Sequence, residues 1–181
     1  MSEGIIITDH PRLDGLFEQG KAMLGNDYAA YRNHCWRVFN SAAIMTNAEN
    51  DDLEKLAIAA YFHDIGIWSD QTFDYLQPSA ARAREYLSEQ GLDDWADEVS
   101  AMITEHHKVS ATRGQGRLVE AFRRADWIDV TLGVLRFGVA KDILQQLQAK
   151  FPNEGFHKRL VALTLQRMRQ KPLSPLPMFK W

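Results

Sequence analysis

His63 and Asp64 interrupt LAIAAYFHDIGIW, residues 56–68, a run whose other members are apolar or small. An ionised carboxylate taken into such surroundings is costly unless something of opposite charge compensates it. Two more residues with ligand chemistry lie in segments patterned like core helices: His34 in YRNHCWRVFN and Asp126 in LVEAFRRADWIDV. Side chains from separate helices that converge inside a bundle are a standard way to build an internal metal site. Two imidazoles and two carboxylates form a mixed nitrogen and oxygen shell suited to one divalent ion, Mn, Fe, Co, Ni or Zn. Such an ion would offset both carboxylate charges.

The elements that must bring these residues together are helices. Residues 11–24 place Leu13, Leu16, Phe17 and Leu24 near one face, and Pro11 suits a first turn. A second helix is expected over about 27–46, with Tyr31, His34, Val38, Ala42 and Met45 close to one stripe. A third runs from about 52 to 65, with Gly66 near its stop signal. Successive helical residues point about 100° apart, so His63 and Asp64 share no stripe, although both can reach an ion in the groove beside their helix. Residues 67–77 read as loop. Pro78 and Ser79 open a helix that stops at Gly91, and another covers 94–107. Residues 108–116 form a basic, turn-rich loop, followed by helices at 117–130, 141–150 and 156–170. The tail 171–181, rich in proline, is expected to be extended and packed on the body. The best strand candidate, residues 5–8, is too short to found a sheet. The expectation is an all-α fold: a compact bundle in one domain over 1–181, with its core at about 27–130 and additional helices at about 138–170.

Composition narrows the function classes. With 181 residues, 45% hydrophobic and 25% charged, the chain suits one globular domain. A net charge of −3 offers no basic excess for a nucleic-acid polymer. Cys35 is the only cysteine, which excludes an internal disulfide and a Cys-rich zinc site. No apolar stretch approaches a membrane span and residues 1–12 lack a signal-peptide pattern, so a cytoplasmic location is expected.

The order H34-C-W-R37-V38, then H63-D64-I-G, then D126 resembles the signature of the HD-domain superfamily of metal-dependent phosphohydrolases. His63 follows His34 by 29 residues and Asp126 follows Asp64 by 62, separations that fit that family's helix order. The resemblance covers roughly 27–130 and includes I103-T-E-H106-H107. It implies His34, His63, Asp64 and Asp126 as ligands of one divalent ion, and a metal-activated water that attacks a phosphoester, often of a nucleotide. Asp64 would also hold that water, and His106 and His107 would serve the substrate as proton donor or phosphate contact. Relatives with two ions use additional histidines, and one such slot is Ser79 here, which argues for a single ion and against the oxygenase branch. Where some nucleotidase relatives carry a catalytic glutamate, this chain has Ile67.

A phosphate needs cations. Arg37, one turn after His34, joins Lys108, Arg113, Arg117, Arg123 and Arg124 as candidates, although any one of them alone could be a solvated surface charge. Arg37, Lys108, Arg113 and Arg123 are the favoured substrate contacts. Trp36, Trp68, Trp127 and Phe73 could stack on a base or simply fill core, and Glu105 is a weak candidate base. The leading expectation is hydrolysis of a small phosphorylated metabolite, plausibly a nucleotide. Two alternatives stand beside it: a metal-dependent hydratase, hydrolase or oxygenase acting on a small non-nucleotide substrate, and a non-catalytic, metal-containing binding module. The helices after 138 suggest a homodimer interface, a lid, or completion of a monomer's core.

Overall fold

The computed structural model describes residues 5–112 and 114–170. Arg113 and the tail 171–181 lie outside the described residues, with the expectations attached to them. Among the described residues nine α-helices follow one another: α1 Pro11–Leu24, α2 Tyr28–Thr46, α3 Asp51–Phe62, α4 Gly66–Ser69, α5 Leu76–Glu89, α6 Ala96–Glu105, α7 Arg117–Val130, α8 Lys141–Lys150 and α9 Phe156–Gln170. Short 3-10 turns precede α2 and α6. No strand occurs among the described residues, and the fold is all-α. No helix there is long and apolar enough to cross a membrane.

At the position of the best strand candidate the chain forms no strand. The Asn40 side chain takes the partner's part, accepting from Ile7 N at 2.7 Å and donating to Ile7 O at 3.0 Å. One amide thus satisfies both backbone groups that a neighbouring strand would have satisfied.

α2 is the central helix. Every residue from His34 to Ala43 is buried, where the sequence pattern suggested a single stripe. A helix buried all round belongs inside the bundle; here α1, α3, α7, α8 and α9 all touch it. The segments after 138 complete this core: Leu147, Phe151 and Phe156 are buried, and Phe151 stacks on Trp36 at 5.2 Å.

The expected helix over 52–65 is shorter. α3 ends at Phe62, the chain turns through 63–65, and α4 begins at Gly66, the residue read as a stop signal. Tyr31 pins the turn by donating to Tyr61 O at 2.7 Å and accepting from Asp64 N at 3.3 Å. Gly66 is needed for a close approach: a Cβ there would lie 2.8 Å from Tyr75 O and 3.1 Å from Ser79 Oγ. Gly66 N donates to that hydroxyl at 2.9 Å. Ser79, at the slot where two-ion relatives keep a histidine, therefore braces the turn after α3.

Candidate metal centre

α3 and α6 both finish against the same interior space, and each is followed directly by histidine. His63 occupies the C-cap of α3 and His106 that of α6. The last carbonyls of a helix lack intrahelical donors, and both rings use one. His63 Nδ1 donates to Ala60 O at 2.8 Å, and His106 Nδ1 to Ile103 O at 2.7 Å. With the proton fixed on Nδ1, each ring turns an Nε2 lone pair inward.

From the middle of α2, His34 enters the same space, and from α7 Asp126 does. His34 Nε2 lies 2.9 Å from His63 Nε2 and 3.6 Å from Asp126 Oδ1. His63 Nε2 is 3.5 Å from Asp64 Oδ2 and 3.9 Å from Asp126 Oδ1. Asp64 Oδ1 faces His106 Nε2 at 3.4 Å. His107 is oriented the other way round: its Nδ1 lies 3.5 Å from Asp126 Oδ2, while its Nε2 meets Tyr75 Oη at 2.7 Å. The six side chains form three overlapping buried trios with ligand atoms within 4.8 Å of one another: His34–His63–Asp64, His63–His106–Asp126 and Asp64–His106–His107. The four expected ligands and both further histidines are therefore brought together.

The chemistry of these atoms fits a divalent ion. Asp64 Oδ1, His106 Nε2 and both Asp126 oxygens are buried without a hydrogen-bond partner. Unsatisfied buried polar atoms are rare and call for a missing partner. The two facing Nε2 atoms of His34 and His63 need a cation as well, since each ring has its proton directed at an Nδ1 acceptor. A proton could bridge that one pair but would leave both Asp126 oxygens orphaned; a divalent ion among these side chains would supply the positive charge they lack.

Protonation follows the same crowding. Burial pushes His63 down to about 3. Burial raises Asp126 to about 6 although His106 and His34 oppose it. Asp64 is also pressed upward by burial, but His63, His106 and His107 outweigh this and hold it below the ordinary carboxylate range. Burial and the proximity of Asp64 push the Tyr75 phenol well up, so it remains a neutral hydroxyl.

The expected substrate cations are placed differently from one another. Arg37 is buried behind His34, where Nε and Nη2 donate to Asp129 at 2.5 and 2.8 Å and Nη1 donates to Phe151 O at 2.7 Å. Arg123 is buried too, donating to Glu120 at 2.7 and 2.9 Å and to Lys108 O at 3.1 Å. Both act as internal braces, a placement unlike the phosphate contact expected of them. Arg117 pairs with Asp52, and Arg124 with Glu120 at 2.7 Å. Lys108 adjoins His107, its Nζ 3.7 Å from Glu105. Trp36 is core; Trp68 packs on Tyr31 at 4.5 Å and Trp127 donates to Lys108 O at 3.3 Å.

Two residues at the centre carried no prior assignment. Asp129 accepts from His34 Nδ1 at 2.7 Å, and its one-turn spacing from Asp126 is visible in the sequence. Tyr75 comes from a stretch without periodicity, and nothing in the sequence flags it.

Residues 31–131 match the family model described as HD domain. No curated protein and no solved structure matches the chain.

Proposed function

Because this chain belongs to the HD-domain family, whose members are metal-dependent hydrolases, we propose that it is a phosphohydrolase acting on a small phosphorylated metabolite, plausibly a nucleotide. The convergence of the facing His34 and His63 nitrogens with orphaned oxygens of Asp64 and Asp126 carries this reading. These residues would hold one divalent ion, which when bound lowers the pKa of a water and polarises a phosphoryl oxygen.

The remaining work falls to the chain's own groups. Asp64 has one oxygen toward His63 and the other toward His106, so it can serve the ion and orient the attacking water. His106 and His107 border the substrate side as proton carriers or phosphate contacts. At 12% side-chain exposure His107 is the most open of the six, so a substrate would approach from its side, next to Lys108. Tyr75 steadies His107 through its hydroxyl.

The test is phosphate release from a panel of phosphorylated metabolites by the full chain loaded with Mn, Fe, Co, Ni, Zn or Mg. Release above buffer that disappears in His63→Ala supports the reading; no release with any ion overturns it. A second reading, hydrolysis of a small non-phosphate substrate, draws support from the internal engagement of Arg37 and Arg123. Turnover of carboxylic esters or amides, with no turnover of phosphate esters, would favour it.

A further inference from the structure

His63 and His106 are oriented by carbonyls of their own helices, which His34 cannot be. It sits mid-helix in α2, where nearby carbonyls already accept helical hydrogen bonds. Its acceptor comes from α7: Asp129 Oδ2, 2.7 Å from Nδ1. Residues three apart on a helix share a face, so α7 turns Asp126 toward the cluster and Asp129, one turn on, toward the back of the ring. α2 is spaced likewise, with His34 facing the cluster and Arg37 meeting Asp129 through two donors. A third Arg37 nitrogen donates to Phe151 O at 2.7 Å and fixes the guanidinium from α8's end.

The geometry points to Asp129 and Arg37 as positioning residues of the metal centre. Asp129 holds the His34 proton on Nδ1 and so keeps the Nε2 lone pair on the cluster. Arg37 keeps Asp129 correctly turned through two donors. A ligating histidine whose far nitrogen donates to a carboxylate is held in tautomer and orientation, and loss of such an outer partner typically weakens metal binding about 10–100-fold. Arg37 and Asp129 also line a cavity of about 410 Å³ between α2, α7 and α8, with Ser41, Lys141 and Gln145 on its walls. A small cation entering that cavity would come close to Asp129.

This assignment rests on the metal-site reading and is independent of what the enzyme cleaves, so its test reads metal binding. The dissociation constant for Mn, Co or Zn is measured by chelator competition for the full chain and for Asp129→Asn, with the visible spectrum of the Co(II) form as a second readout. We expect affinity about 10–100-fold lower and an altered Co(II) spectrum. Should Asp129→Asn not fold, the double variant Arg37→Met/Asp129→Leu removes the pair without stranding a charge, a replacement that cores commonly tolerate. It should keep the fold and show the same loss. Arg37→Ala should lose affinity and regain most of it with millimolar guanidinium, but not with urea, since the cavity admits the missing group. Wild-type affinity and an unchanged spectrum in either folded Asp129 variant would overturn the assignment, as would a folded Arg37→Ala with normal binding. Metal binding without any phosphate-ester turnover would instead count against the proposed reaction alone.

Discussion

The candidate centre joins two halves built by different means. In one, α3 and α6 end at the site and supply His63, Asp64, His106 and His107 within or just beyond their last turns. In the other, α2 passes the site and supplies His34 from its interior, while Asp126 and Asp129 reach that ring from the last turn of α7. A helix end brings unpaired carbonyls and the negative pole of the helix dipole, both favourable to a cation and to a histidine that must donate from Nδ1. A helix interior brings neither, so its histidine needs a side-chain partner from another helix. Orientation is thus a local property in the first half and a tertiary one in the second.

Substituting ligands gives the largest expected effects. Asp64→Asn and Asp126→Asn should each abolish stable metal loading and reduce turnover to background, measured by elemental analysis and initial rates. Full metal content in one of them would show that its half is dispensable and break the comparison. Chelation comes next. An ion present at a hundredfold excess over its dissociation constant stabilises by about 2.7 kcal/mol. At about 2–4 °C per kcal/mol for a chain of this size, its removal should lower the melting temperature by about 5–10 °C in a thermal scan.

Gly66→Ala probes the helix-end half alone. The added Cβ must displace Tyr75 O or the Ser79 hydroxyl, at a cost of about 1–3 kcal/mol in denaturant titrations. Because the shift passes through the turn after α3 and through Tyr75, turnover should fall by more than the population of folded protein does. An unchanged rate would show that Tyr75 placement is unimportant.

The smallest effect concerns the loop between α6 and α7. Burial would raise the Glu120 carboxyl, but Arg123, Arg124 and the Thr112 amide and hydroxyl together hold it well below its ordinary range. A group depressed on folding stabilises above its unfolded pKa, and that contribution is lost as pH falls through the folded value. Stability should therefore be flat near neutrality and decline on acidification below the ordinary glutamate range. Glu120→Gln should cost about 1 kcal/mol at neutral pH and flatten that decline in unfolding curves collected across pH. An identical acid limb in the variant would remove Glu120 from the account.

Much of this architecture was legible because polar residues stand out in apolar runs. His63 and Asp64 inside LAIAAYFHDIGIW, and Asp126 inside a strongly periodic helix, advertise themselves. The all-α reading followed from helical spacing and from the scarcity of alternating segments. What stayed hidden is pairing across space. Arg37 and Arg123 read as available cations because a sequence does not display the carboxylates that engage them. Asp129 was overlooked because its partner, His34, is 95 residues away. The break after Phe62 depends on the Tyr31 hydroxyl and on the fit of Gly66 against Tyr75, contacts that helical periodicity does not encode.

Phe156 lies flat on the His34 ring at 3.9 Å and 15°, and Phe151 offers its carbonyl to Arg37. Both residues fall outside the stretch 31–131 that defines the family. An ion held by His34 would therefore be coupled to the docking of the C-terminal helices. Loosening α8 and α9 should then lower affinity for the ion, and the bound ion should resist their detachment.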